Sequence, residues 1–225
     1  MLNTLNYAPY SSSLYKALLA SLTSNNSINV CSFNATVSAD TNKVNVFFRH
    51  DIDTELCLLN LQDMICIDKS FGVKPGIFFL VSDQTYDIRS CEAVAVELKS
   101  NGYAVGLHTV CYLEDDYLAE FQREIDKFTN TFGFKPDTFN AHGLGSIKQD
   151  NRLKFYDEMA IRYKDFGFEY SDCCAKLRQY QHVIEDCHLD RDKNNRYIKT
   201  DFAFADHFMQ KGNNLVLTHP CYWVF

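Results

Sequence analysis

From residue 43 onward, short and nearly continuous apolar runs alternate with longer stretches of helical periodicity. The runs cover 44–48, 76–81, 103–107, 138–141, 166–170, 197–198 and 215–218. Each is short enough for a strand buried on both faces. Between them the spacing predicts helices over 54–70, 88–101, 115–131, 150–162 and 202–211. In the third, Leu118, Phe121, Ile125, Phe128 and Phe132 form one stripe, and Glu120, Arg123, Glu124 and Lys127 are expected to face water.

Ahead of this pattern, residues 1–42 read as an N-terminal extension packed on the main domain. They carry one amphipathic helix marked by Leu14, Ala17, Leu18 and Leu22. Residues 43–225 form the main domain. Strands alternating with helices imply a parallel sheet covered by helices. About seven strands in one domain favour an α/β fold of the distorted or incomplete (β/α)7 barrel type over an open sheet. The first strand lacks a glycine-rich phosphate loop after it, which counts against a nucleotide-binding unit.

Composition narrows the class. The 225 residues are 46% hydrophobic and carry a formal charge of −7, which argues against nucleic acid or an anionic membrane as the main partner. No run is long and apolar enough to span a bilayer, and the first residues lack a basic, then apolar, secretion signal. A cytoplasmic location is the expectation. Nine cysteines without a CxxC pair fit reduced, mostly buried thiols.

The polar residues are placed unevenly. In parallel α/β folds functional groups collect at the C-terminal ends of strands. The first strand ends in "RHDID", with His50, Asp51 and Asp53. Other runs reach His108, His142, Asp172, Asp201 and His219. Any one of these has an ordinary structural explanation; Asp53 and Asp201 could each cap a following helix. Repetition across strands favours a shared site. Alternation places Asp51 and Asp53 on one side of the first strand and turns His50 away.

One carboxylate and two neutral imidazoles suit a divalent metal with open positions. A second carboxylate can act as base and a further histidine as acid, an inventory suited to hydrolysis of an amide or ester. No convincing serine or cysteine nucleophile accompanies them.

The stretches "HDID", "GVKPGIFFLV", "YAVGLHT" and "LVLTHPCYW" resemble, in order and spacing, the motifs of the polysaccharide deacetylase superfamily (NodB-like, carbohydrate esterase family 4). The likeness runs from about Val44 to Trp223. Its "RHDID" and "HG" forms are most similar to the branch associated with surface-polysaccharide biosynthesis. The resemblance implies a divalent metal, usually zinc, and removal of an N-acetyl group from a sugar or glycan intermediate. It further implies Asp51 as catalytic base, Asp53 and His108 as metal ligands, His219 as general acid, and Trp223 on the pocket wall; Tyr112 and Asp172, from their places in the chain, are further candidates for the substrate side.

Two departures from that pattern matter. The second motif's second histidine is replaced by Tyr112, so His142 becomes the candidate third ligand, against Tyr112 or water. The third motif's arginine is absent from "FNAHGLGS". Arg49 shares the face of Asp51 but sits one pleat deeper, which counts against it as a substitute. These departures keep open a catalytically weakened or inactive protein that binds a glycan or scaffolds a biosynthetic complex.

Overall fold

A computed structural model describes residues 10–35, 42–81, 85–143, 147–168, 180–186, 190–191, 197–198 and 210–225. The strands that form the main sheet are β2 (Ile28–Val30), β3 (Val44–Ile52), β4 (Gly76–Leu80), β5 (Ala104–Thr109), β6 (Phe139–Ala141), β7 (Tyr180–Glu185) and β10 (Gly212–Thr218). The path runs β6-β5-β4-β3-β10-β7, all parallel, and the sheet curls into a half-barrel. The fold is therefore an incomplete α/β barrel. Two-residue strands β8 (Asp190–Arg191) and β9 (Tyr197–Ile198) form a separate antiparallel pair, so the run at 197–198 does not join the parallel sheet.

The helices are α1 (Ser12–Ser24), α2 (Glu55–Ser70), α3 (Glu92–Ser100), α4 (Tyr117–Phe132) and α5 (Gln149–Arg162). Thr54 caps α2, its hydroxyl accepting from the Cys57 amide, which leaves the Asp53 carboxylate free for other work. The expected strand at 166–170 begins instead as a short 3-10 helix, Tyr163–Phe166, ended by Gly167 at φ 84°. Most of the expected helix at 202–211 lies outside the described residues. No described helix is long and apolar enough to cross a membrane.

Alternation along β3 explains how an apolar strand serves two environments. Val46 and Phe48 face the helices and pack with Tyr15, Leu18 and Met64. Phe47 points the other way, into a floor made with Phe33, Phe78, Ala104 and Leu215. Above this floor come Arg49, stacked 5.4 Å from the Phe78 ring centroid, then Asp51, then Asp53. The interior thus passes from aromatic to charged along one face of one strand.

Residues 10–35 belong to the same core. Short strand β2 pairs with β3 over Val44–Val46. Beyond it Phe33 lies on the glycine face of β4, where a side chain at Gly76 would meet its ring at 2.6 Å. Phe78 fills the space over Gly106 in the same way, also at 2.6 Å. Strand β1 (Tyr10–Ser11) pairs with β11 (Trp223–Val224).

Candidate metal centre

Strands β3, β5 and β6 deliver polar groups at their C-terminal ends. Asp53 follows β3, His108 sits one residue before the end of β5, and His142 follows β6. His108 Nε2 stands 3.3 Å from Asp53 Oδ1, and His142 Nδ1 stands 4.0 Å from the same oxygen. The three ligand atoms all lie within 4.8 Å of one another. Bonds of about 2.1 Å in a tetrahedral site place ligand atoms about 3.4 Å apart, so a slight closure around an ion would suffice. Asp53 Oδ1 and His142 Nδ1 are both buried without a hydrogen-bond partner. Unmet lone pairs converging in a buried place are what a cation satisfies.

Electrostatics agree with that role. Burial pushes the His142 pKa down to about 4 and lowers that of His108, so both rings are neutral near neutral pH. Burial also raises the Asp53 pKa, with Asp51 adding to the effect against the pull of His108 and His219.

The supports of these residues come from several elements. Tyr112 is fully buried, and its hydroxyl donates to the His142 carbonyl at 2.7 Å. Its hydroxyl is thereby committed to the backbone of His142. Glu124, expected on the wet face of its helix, is buried instead. It accepts from the Thr109 hydroxyl and, at 3.3 Å, from the Val110 amide, gripping the chain just past His108. Burial pushes its pKa up to about 8, against the effect of those two hydrogen bonds.

Asp51 lies beside the ligands, its Oδ2 3.6 Å from His108 Nε2. Arg49 reaches it after all, with Nη2 2.9 Å from Oδ2 and Nε 2.9 Å from Oδ1. The long arginine side chain spans the one pleat that separates the two residues. Burial opposes the charge on Asp51, yet Arg49, His108 and His219 outweigh it and bring the pKa down to about 2. Asn140, which the sequence did not single out, stands between Arg49 and His108. Turned to satisfy both, its oxygen accepts from Arg49 Nη2 at 2.8 Å while its NH2 donates to His108 Nδ1. The opposite orientation, with the oxygen on Nδ1, suits the tautomer that frees Nε2 for a metal.

His219 completes the ring of groups, its Nε2 3.4 Å from Asp53 Oδ2. Its partner is Asp186, at the end of β7, a residue and a strand absent from the sequence reading. Asp186 Oδ1 is 2.7 Å from His219 Nδ1. Its Oδ2 accepts from the His219 amide at 2.7 Å and from Trp223 Nε1 at 2.8 Å. Trp223 is accordingly buried, stacked on Tyr10 and edge-on to Tyr15, and its indole N–H supports Asp186. Burial works against the charge on His219, but Asp186, Asp53 and Asp51 prevail and push its pKa up to about 10.

His50 turns to the helix side, as alternation predicts. Its Nε2 pairs with Asp68 at 2.8 Å and its Nδ1 with Thr218 at 2.5 Å, while Tyr15 donates to the other Asp68 oxygen at 2.6 Å. Asp172, expected near the substrate, lies outside the described residues.

No protein-family model matches this chain, and no curated protein matches it.

Proposed function

We propose that the protein is a metal-dependent hydrolase that removes the N-acetyl group from a sugar or glycan intermediate. In this reading it is a (β/α)7-type barrel of the polysaccharide deacetylase superfamily, working in the cytoplasm on surface-polysaccharide precursors. The observation that carries the reading is the arrangement around Asp53, His108 and His142. An ionised carboxylate, Asp51, stands 3.6 Å from His108 Nε2, and a charged imidazole, His219, stands 3.4 Å from Asp53 Oδ2.

Asp53, His108 and His142 would hold a divalent ion, zinc in this proposal, which would polarise the amide carbonyl and acidify a water. Asp51, kept ionised by Arg49, accepts the proton as that water attacks. His219, kept protonated by Asp186, gives its proton to the departing amine nitrogen. The carbon–nitrogen bond breaks, and acetate and the free amino sugar leave. Tyr112 and Glu124 take no proton in this sequence; they hold His142 and the end of β5.

The test combines metal analysis with acetate release. The protein should bind one equivalent of zinc and liberate acetate from N-acetylated sugars, and a chelator should stop it. Asp53→Ala should lose both properties. At 100-fold excess over Kd, zinc should also add about 2.7 kcal/mol of stability to the wild type. A protein without stoichiometric metal whose products are unchanged by Asp53→Ala would refute the proposal. Glycan binding that persists in chelator with no acetate formed would point to a non-catalytic binding protein.

A further inference from the structure

Among the arginines whose side chains are described, Arg49, Arg89, Arg123 and Arg162 each sit against a carboxylate. Arg152 does not. It lies in the first turn of α5, which docks beside the site, with Asn151 Nδ2 3.4 Å from the Tyr112 carbonyl. The Arg152 guanidinium lies against Gly143, the residue that follows His142. Its Nη1 lies only 3.3 Å from the place a β-carbon on Gly143 would occupy. Its Nε is buried and has no hydrogen-bond partner.

An arginine on a surface is ordinarily satisfied by water. Arg152 as a whole is only partly buried, but an Nε–H shut away without an acceptor is costly, and the cost falls when an anion engages the guanidinium. The planar donor fork matches phosphate and carboxylate oxygens. A neutral N-acetyl sugar offers no equivalent partner.

We infer that Arg152 forms an anion-binding subsite beside the metal centre, so that the substrate is an N-acetylated sugar bearing a phosphate or carboxylate. This rests on the proposed deacetylase reading and narrows its substrate class. The anionic group sits over the His142–Gly143 turn, and the N-acetyl group is thereby directed toward Asp53 and Asp51.

Calorimetric titration separates the parts, with three probes: N-acetylglucosamine, N-acetylglucosamine 1-phosphate and N-acetylmuramic acid. The wild type should bind at least one anionic probe about tenfold or more tightly than the neutral sugar. The probe with the larger gain identifies phosphate or carboxylate as the natural group. Arg152→Ala should abolish that preference and leave affinity for the neutral sugar in place, while Arg152→Lys keeps part of it. Equal binding of all three probes by the wild type overturns the inference. So does an anion preference that survives in Arg152→Ala, or one absent from a well-folded Arg152→Lys and wild type alike. Acetate assays run on the same probes keep the two claims apart. An Arg152-dependent anion preference without acetate release sustains the subsite and sinks the deacetylase reading. Acetate release indifferent to charge and to Arg152 does the reverse.

Discussion

Asp186 Oδ1 lies 2.7 Å from Nδ1 of His219, at the ends of two adjacent parallel strands, β7 and β10. The pairing fixes which ring nitrogen faces the site: with Nδ1 on the carboxylate, Nε2 points toward Asp53. It also holds the ring charged. The folded-state pKa of about 10 lies above the ordinary 6.5. In the metal-free protein this coupling therefore contributes stability that is fully present below about pH 6.5 and is lost as pH rises through about 10.

Replacing Asp186 with asparagine removes the charge and keeps the shape. Asp186→Asn should lower the His219 pKa, so the alkaline limb of the pH–rate profile moves to lower pH. The rate near neutral pH should fall by about 10²-fold or more, the scale of general-acid catalysis. The metal-free variant should also lose less stability than wild type between pH 6.5 and 10. A profile identical to wild type would show that His219 gives up no proton in the rate-limiting step.

How much of this was written in the sequence depends on what each signal reports. Continuous apolar runs ending in histidine or aspartate revealed β3, β5, β6 and β10, because a strand buried on both faces has no reason to change polarity except at its tip. That rule placed Asp53, His108 and His142 at one end of the sheet. It failed for β7, whose "YQHVIE" mixes polar and apolar residues. Among the described residues this strand lies at the sheet edge, paired with β10 alone, and Val183 on it is 37% exposed, so no apolar run betrays it. Asp186 went unnoticed with it. Glu124 was misread for a different reason. Helical periodicity reports which face is apolar, but a buried carboxylate gripping Thr109 and Val110 leaves no trace in that pattern. Strand alternation placed Arg49 on the right face and underestimated the reach of its side chain.

Arg49 offers a second prediction. Its guanidinium is the largest influence holding the Asp51 carboxyl down, against burial. Arg49→Gln should raise the Asp51 pKa, so the acid limb of activity moves up by about one to three pH units. Since the folded value lies below the ordinary 3.8, the coupling stabilises the protein above about pH 4 and is lost as pH falls through about 2. Acid unfolding should accordingly begin at higher pH in the variant. Arg49→Lys keeps the charge but loses the two-point contact, and should fall between the two. If Arg49→Gln leaves both the acid limb and the acid transition where they were, Asp51 is held ionised by something else.

Tyr112 gives a prediction about metal affinity. Its hydroxyl bonds the backbone of His142, so Tyr112→Phe removes one hydrogen bond and leaves the ring in place. The cost to the metal-free fold should be about 1 kcal/mol. Zinc should bind about tenfold more weakly, because a ligand whose backbone is less firmly held must be ordered on binding. Competition titration against a chromophoric chelator measures this directly. Zinc affinity equal to wild type would mean that His142 is held in place without the tyrosine, or is not a ligand.

The floor of the half-barrel makes the last prediction. Phe33 comes from the residues that precede β3, yet its fully buried ring meets Phe47 and Phe78 edge-on, at centroid distances of 6.5 and 5.6 Å. It lies where β4 has only Gly76, so no neighbouring side chain can swing in to replace it. Truncation to alanine should therefore leave a cavity and cost about 3–5 kcal/mol, seen as a lower urea midpoint with the same slope. Phe33→Leu keeps most of the volume and should cost less. In the opposite direction, Gly76→Ala should also destabilise, by about 1–3 kcal/mol, because the added methyl meets the ring. Combining Gly76→Ala with Phe33→Leu should cost less than the sum of the two single changes, since the smaller side chain makes room for the methyl. Additive effects would mean that the two positions do not share the floor, and that the residues before β3 lean on the barrel without closing it.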